Sequence, residues 1–228
     1  MERISRPEVV QQVLDLYKRP SYLEIGVNAG ETFHQVQARH KVAVDPLFVF
    51  DVDEARKANS NAVYHEIPSD EYFGTIIAPD TKFDVIYLDG LHTFEQTLRD
   101  LINALDHLTP NGVIVIDDVR PPSYLASLPD RENYFKVRTV TKVTDKSWMG
   151  DVYRLIWFID TFFQNLSYRT IANNHGQAVV WRQRRQSVTE RRAVDVSALT
   201  FEEMILQLDT LRELPFSEII EEVRAAVR

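Results

Sequence analysis

The chain has 228 residues, 44% of them hydrophobic, which is enough to build one full core. Its formal net charge of -8 disfavours a broad nucleic-acid-binding surface. The first residues lack the apolar core of a signal peptide, and no apolar run approaches the roughly 20 residues that a membrane span requires. We therefore expect a cytoplasmic protein that binds neither nucleic acid nor membranes.

Strand-like and helix-like patterns alternate over the first half of the chain. Apolar residues recur at helical spacing up to Leu16, and Pro20 ends this cap helix. The patterns that follow predict, in order, strand 21–27, helix 32–39, strand 41–45, helix 51–59, strand 62–67, strand 83–89, helix 93–108, a turn at 110–112 and strand 112–117. Repeated β–α winding of this kind builds a parallel sheet with helices on both faces.

The second half of the chain departs from this alternation. Pro121 and Pro122 interrupt it, and residues 123–147 are predicted to form an irregular loop or lid over the ligand crevice. A helix at 151–163 precedes strands 167–172 and 177–182, which flank a turn and form an antiparallel hairpin.

We place the main domain, with its cap helix, at 1–185 and a C-terminal helical extension at 186–228. The extension should bury one apolar face against the core or against a second subunit of a homodimer. That face consists of Phe201, Met204, Ile205, Leu208, Leu211, Ile219, Ile220 and Val223.

A glycine-containing turn, from Glu24 to Gly30, joins the first strand to the next element. Its glycines let the backbone approach a ligand closely, and Asp45 ends the second strand 19 residues after Gly26, where an acid can bind ribose hydroxyls. The turn is not Gly-x-Gly-x-x-Gly, and Glu24 should repel a pyrophosphate and favour a ligand with an amino group. The alternative is a purely structural turn with a solvent-facing Asp45.

Two buried strands end in acids, Asp89 after the fourth and Asp117 with Asp118 after the fifth. Since the carboxyl ends of adjacent parallel strands share one edge of the sheet, these acids and His92 should converge. Carboxylates so close repel one another, and oxygen ligands without cysteine suit Mg²⁺ or Mn²⁺. His92 has the pKa of a general base near neutrality. In the alternatives, an acid pairs with Arg120 and His92 serves only structure.

These motifs resemble those of the class I S-adenosylmethionine-dependent methyltransferases. The segment with Glu24, Gly26, Asn28 and Gly30 is similar to their motif I, although many members have glycine where this chain has Asn28. Asp45 matches their ribose-binding acid. The resemblance adds three further residues to the predicted donor site, namely Ser69, Asp70 and Asp89.

The resemblance implies a Rossmann-like seven-stranded sheet, mostly parallel, that ends in an antiparallel hairpin, with extra helices after it. More narrowly, residues 83–95, 108–118 and 150–153 are similar to the metal-dependent macrocin and mycinamicin type of sugar O-methyltransferase. This similarity implies Asp89, Asp117 and Asp118 as metal ligands, with His92 and Asp89 as catalytic residues.

We therefore predict a methyltransferase that uses S-adenosylmethionine and Mg²⁺ or Mn²⁺ to methylate a hydroxyl of a sugar or another small natural product. Two alternatives remain open at this stage. Asp45 would also suit an NAD-dependent oxidoreductase, and the fold could serve a binding or scaffold protein without methyl transfer. The sequence does not identify the acceptor.

Overall fold

A seven-stranded sheet forms the centre of the computed structural model, which describes residues 2–227. The strand order is β3-β2-β1-β4-β5-β7-β6. Strands β1 to β5 pair in parallel, whereas β7 is antiparallel to both β5 and β6, which confirms the predicted sheet with its terminal hairpin. The strands are β1 (Ser21–Ile25), β2 (His40–Asp45), β3 (Ala62–Glu66), β4 (Phe83–Leu88), β5 (Leu108–Ile116), β6 (Leu166–Thr170) and β7 (Ala178–Arg182).

Helices cover both faces of this sheet. The α-helices are α1 (Arg6–Leu14), α2 (Val52–Ala58), α3 (Ser69–Glu71), α4 (Phe94–Asp106), α5 (Arg131–Thr141), α6 (Arg154–Phe162), α7 (Ala193–Ser197), α8 (Phe201–Leu206) and α9 (Phe216–Ala226). A π-helical turn (Tyr72–Ile76) follows α3, and a 3₁₀ turn (Leu208–Leu211) follows α8. Helices α4, α6, α7 and α8 pack on one face, and α1, α2 and α9 pack on the other. In the described part of the chain, every helix is too short or too polar to span a bilayer.

Helix α1 is fixed at its start by a capping box. The Ser5 side chain accepts from the Glu8 N–H, and the Glu8 carboxylate accepts from the Ser5 N–H at 2.8 Å. Val9 and Val13 are fully buried against the sheet. The first residue of the helix, Arg6, is thereby held at the carboxyl edge of the strands.

The predicted helix at 32–39 is wrong. Residues 31–35 form turns, and the segment then runs irregularly into β2. Lys41, which is 1% exposed, reaches back from β2 and donates to the Phe33 carbonyl at 2.7 Å and the Val36 carbonyl at 3.0 Å. A buried ammonium group thus satisfies carbonyls that helical N–H groups would otherwise satisfy.

Two other segments differ from the prediction. Residues 131–141 of the expected irregular lid form helix α5, which begins at Asp130 because its side chain accepts from the Asn133 N–H at 2.7 Å. The predicted turn at 110–112 lies inside β5, where the pairing shifts between Phe83 and Val85 of β4. The extra residues form a bulge instead of ending the strand.

The C-terminal segment passes from one face of the sheet to the other around β6. Met204 and Leu211 lie in the core on one side, and Phe216 and Ile219 lie in the core on the other. Between them, the Leu214 N–H donates to the Thr170 carbonyl at 3.0 Å. Most of the predicted apolar face therefore packs on the chain's own core, but Ile205, which we assigned to that face, is exposed. The proposed boundary at residue 185 stays a prediction.

A buried ion cluster around Asp160 of α6 joins this segment to the sheet. The Asp160 carboxylate lies 2.7 Å from Arg185, 3.0 Å from Arg191 and 3.2 Å from Arg212. The Tyr168 hydroxyl of β6 donates to the same carboxylate at 3.1 Å. One buried carboxylate thus compensates Arg185, which follows β7, together with two cations of the C-terminal segment.

Replacement of Asp160 by alanine should lower the free energy of unfolding by about 3–5 kcal/mol, because buried Arg185 loses its counter-charge. Urea unfolding of the purified protein measures this change. Asp195→Ala is the matched control, since its ion pair with Arg192 is exposed and should contribute little. Equal effects of the two substitutions would contradict the structural role of Asp160.

Candidate active site

The turn after β1 lies directly against the end of β4. Gly26, Asn28 and Gly30 all have positive φ, at 87°, 48° and 75°. A Cβ atom on Gly26 would lie 2.0 Å from the Asp89 carbonyl oxygen and 2.5 Å from the Gly90 nitrogen. The backbone of β4 therefore fills the side-chain position of Gly26, so the glycine is required for packing of the turn, and its contact with a ligand stays a prediction.

Asp45 ties the glycine turn to the end of β2. Its carboxylate accepts from the Asn28 N–H at 2.8 Å and from the Leu47 N–H at 2.8 Å. Asparagine tolerates positive φ better than most residues, so the absence of a middle glycine leaves the turn intact. Each carboxylate oxygen keeps a lone pair that can accept from a ribose hydroxyl.

Glu24 is buried beneath the turn. Its carboxyl group accepts from the Tyr22 hydroxyl at 2.5 Å and from the backbone of Phe33. Burial raises the pKa of Glu24 to about 8, against the opposing effects of the Tyr22 hydrogen bond and of Lys41. At neutral pH the protonated form therefore predominates, which weakens the argument that Glu24 repels a pyrophosphate. Its contacts show that it braces the turn.

Ser69 and Asp70, which follow β3, are connected to α4 by one amide. Gln96 donates to the Ser69 hydroxyl at 3.2 Å and to the Asp70 carboxylate at 3.1 Å. It also contacts buried Asp100, whose pKa burial raises to about 6. The Asp100 carboxylate lies 3.6 Å from the position of a Cβ on Gly90, so this segment reaches the same sheet edge.

Asp89, His92 and Asp118 meet at the ends of β4 and β5. One ligand atom from each residue can be chosen so that all three lie within 4.8 Å of one another. Consecutive strand residues point to opposite faces, but Asp118 has φ +62°, so the chain has already turned at that point. This left-handed residue brings the acid after β5 beside Asp89.

The predicted third metal ligand, Asp117, faces a different partner. Its Oδ2 atom lies 2.5 Å from Arg6 Nε, and the Tyr87 hydroxyl donates to it at 2.8 Å. The same hydroxyl lies 3.2 Å from Asp89. Asp117 therefore does not join the Asp89 group. The suggested partner, Arg120, instead pairs with Glu213 at 3.0 Å.

Burial is the main cause of the electrostatic strain in this cluster. It raises the pKa of Asp89 and of Asp118 well above the ordinary range, and the charge of Asp117 adds to both effects. Within residues 2–227, no hydrogen-bond donor reaches the buried Oδ1 atoms of Asp117 and Asp118. Free oxygen ligands beside one imidazole fit a hard divalent cation such as Mg²⁺ or Mn²⁺.

The contacts of His92 define its neutral tautomer. His92 Nδ1 lies 2.8 Å from the Trp148 carbonyl oxygen and 3.0 Å from Asp118 Oδ2. A carbonyl oxygen can only accept, so Nδ1 carries the proton and Nε2 keeps a lone pair. Nε2 lies 3.9 Å from Asp89 Oδ1. Burial lowers the pKa of His92, so the imidazole is neutral at pH 7 and can accept a proton.

Residues 148–154 hold His92 in place. The Trp148 ring stacks on the imidazole at 4.8 Å, and a Cβ on Gly150 would lie 1.7 Å from the His92 carbonyl oxygen. The next residue, Asp151, accepts from the Phe94 N–H at 2.8 Å. The short Gly150–Tyr153 motif noted in the sequence thus supports the segment that carries His92.

Residues 23–119 match the profile of a protein family described as "Methyltransferase domain". This part of the chain is similar to a methyltransferase domain. This match confirms the predicted recognition at the level of the domain, whereas the macrolide-sugar type stays a prediction. The matched region includes the glycine turn, Asp89, His92 and both acids after β5. A comparison with curated protein sequences finds no match.

Solved O-methyltransferases share the fold. The Bacillus cereus O-methyltransferase in complex with SAH has 15% identity and a TM-score of 0.54, over 78% of this chain and 80% of that one. TomG from Streptomyces achromogenes, which is involved in tomaymycin synthesis and was solved with SAM, has 15% identity and a TM-score of 0.51, over 79% and 81%. At this identity, the resemblance establishes the fold of the methyltransferase.

Several site residues escaped the sequence analysis. Arg6 is far from Asp117 along the chain, and no spacing rule connects them. Tyr87 could have been found, because it lies two residues before Asp89 and therefore faces the same side of β4. Trp148 belongs to no recognised motif, and its contact with His92 depends on how the segment after α5 returns to the sheet.

Gly26→Ala should destabilise the methyltransferase by roughly 2–4 kcal/mol, because both the positive φ and the β4 backbone oppose a side chain. Thermal unfolding measures the loss. Gly74→Ala is the matched control, since a Cβ there meets no atom within 4 Å. A Gly26→Ala protein with normal stability but no donor binding would restore the view that the ligand uses this space.

Proposed function

We propose that this methyltransferase transfers the methyl group of S-adenosylmethionine to a hydroxyl oxygen of a sugar or another small natural product, with a divalent cation assisting. One observation carries the proposal. The glycine turn contacts the backbone of Asp89 and Gly90, and Asp89 also belongs to the group with His92 and Asp118. A donor held at the turn would therefore lie beside a base and two carboxylates.

The residues proposed to hold the donor surround one end of the sheet. They are Glu24, Gly26, Asn28 and Gly30 in the turn, Asp45 after β2, Ser69 and Asp70 after β3, and Asp89 after β4. Asp45 is suited to the ribose hydroxyls, because its oxygens are already oriented by two backbone N–H groups. Ser69 and Asp70 offer polar groups at the neighbouring strand end.

His92 is the proposed general base. Its Nε2 atom takes the proton of the acceptor hydroxyl as the acceptor oxygen attacks the methyl carbon and the carbon–sulfur bond breaks, which releases S-adenosylhomocysteine. The proton on Nε2 makes the ring cationic, and the Asp118 carboxylate lies 3.0 Å from Nδ1, whose N–H donates to the Trp148 carbonyl. Stacking on Trp148 keeps the ring in one orientation.

Asp89 and Asp118 are the carboxylates best placed to hold Mg²⁺ or Mn²⁺. Asp117 lies nearby and forms an ion pair with Arg6. A bound divalent cation supplies Lewis acidity, which lowers the pKa of a hydroxyl that it contacts. The Oδ1 atoms of Asp117 and Asp118, which accept no hydrogen bond within residues 2–227, are consistent with this role. The acceptor hydroxyl would then lose its proton to His92 near neutral pH.

The two alternative functions, an NAD-dependent oxidoreductase and a scaffold protein, require different features of the site. Protonated Glu24 is compatible with the pyrophosphate of NAD, but the methyltransferase match includes both the turn and the acid cluster. A scaffold protein would need neither a base with a free lone pair nor unshared buried carboxylate oxygens. The observed cluster therefore favours methyl transfer over both.

S-adenosylmethionine and S-adenosylhomocysteine should bind in calorimetry, and NAD should bind far more weakly. Asp45→Ala should weaken donor binding at least about tenfold, because it removes the acceptor for ribose and loosens Asn28. Asp53→Ala, at a largely exposed acid of α2, is the control. Binding of NAD without any response to the methyl donor would exclude the proposed cofactor.

His92→Ala should lower turnover by roughly 10²–10⁴-fold while sparing donor affinity, as expected for a positioned general base. Since the neutral ring is the active form and burial lowers its pKa, the acid limb of the kcat/KM profile should lie below pH 6.5. Excess chelator should also reduce turnover. These assays require an acceptor found by screening with labelled donor.

His40→Ala, at an exposed residue that begins β2, is the matched control for His92. Near-normal turnover of His92→Ala across pH would make His92 a structural residue. Full activity in chelator would remove the metal from the proposal and leave the base in place.

A further inference from the structure

Arg6 places a cation among the buried acids of the site. Its Nε atom lies 2.5 Å from Asp117 Oδ2, and its NH2 group lies 3.8 Å from Asp118 Oδ1. The Asp117 side chain is fully buried, whereas that of Arg6 is 31% exposed. Arg6 thus enters the cluster from the rim of the sheet and brings its charge to the deepest carboxylate.

The position of Arg6 is set by the fold of the N-terminal segment. The capping box of Ser5 and Glu8 determines where α1 begins, and buried Val9 and Val10 anchor the helix to the sheet. Arg6 is therefore presented by a packed helix. The nearby residue Arg3 is exposed and lines a surface cavity together with Arg6. The arginine that forms the ion pair with Asp117 is Arg6.

A single cation cannot neutralise three acids. Arg6 pairs with Asp117, and the nearest oxygen of Asp118 lies beyond ordinary hydrogen-bond distance. Asp89 has no arginine partner within residues 2–227, where its polar neighbours are Tyr87 and His92. The cluster is thus divided into one acid with a resident cation and two acids beside the imidazole.

We propose that Arg6 is a positioning residue that sets the affinity of this site for a divalent metal. By pairing with Asp117, Arg6 withholds a third carboxylate from the metal, and its charge repels a second cation nearby. The metal is then left to Asp89 and Asp118, beside His92. This inference rests on the metal role in the proposed function.

Loss of the Arg6 charge should tighten metal binding. In Arg6→Gln, Asp117 becomes available and the repulsion disappears, so the dissociation constant for Mn²⁺ should fall roughly 10- to 100-fold. Arg6→Lys keeps the charge and should stay within about threefold of the parent protein. A merely structural arginine would give the opposite sign, because a disturbed site binds metal more weakly.

The experiment is a titration of the full-length protein with Mn²⁺ alone, followed by the electron paramagnetic resonance of free Mn²⁺. Asp89→Asn identifies the site, since it should weaken binding. Arg3→Gln is the matched control for loss of a nearby positive charge. Arg6→Leu is a second neutral variant, so the test needs only one of Arg6→Gln and Arg6→Leu to fold. Thermal unfolding confirms the fold of each variant.

Tighter binding in a neutral Arg6 variant, without change in Arg3→Gln, supports the proposal. Unchanged or weaker binding in a folded neutral variant overturns the proposal. If the parent protein still binds Mn²⁺ and Asp89→Asn weakens that binding, the proposed metal role remains. Binding only after Arg6 is neutralised overturns both, because the inference rests on metal binding by the parent protein. No binding by any variant overturns both.

Discussion

The contact between Gly26 and the peptide that joins Asp89 to Gly90 is the constraint on which the site depends. Strands β1 and β4 are adjacent, and only a residue without a side chain lets their ends come so close. The turn that is proposed to bind the donor therefore shares backbone contact with the residue proposed to bind the metal. A substitution at Gly26 would disturb both halves of the site at once.

Burial of several carboxylates at one sheet edge is the second physical condition. The site combines three different contacts that reduce the cost of these charges. Arg6 neutralises Asp117, the Tyr87 hydroxyl bridges toward Asp89, the His92 N–H faces Asp118, and the raised pKa of Asp89 and Asp118 shows that compensation is incomplete. Such a cluster attracts a cation, and Asp118 lies close to the imidazole that is proposed as the base.

The parallel sheet and the convergence of Asp89, His92 and Asp118, although not that of Asp117, could be predicted, because parallel strands of alternating β–α units leave their carboxyl ends at one edge. The turn at 31–35 could not, since Phe33 and Val36 have helical spacing and the buried ammonium that competes for their carbonyls comes from Lys41 on the next strand. Arg6 was missed for a similar reason. Its contact with Asp117 depends on the docking of α1, which local sequence patterns do not specify.

The central claim is that the methyl donor and the metal lie side by side at this edge. The most direct test is the nuclear magnetic resonance signal of S-adenosylmethionine carrying a ¹³C-labelled methyl group, bound to the protein with Mn²⁺ as a paramagnetic probe. We expect Mn²⁺ to broaden the methyl signal strongly in the parent protein and much less in Asp89→Asn, with Mg²⁺ as the diamagnetic reference. A methyl signal that stays sharp while both donor and Mn²⁺ are bound would contradict the account.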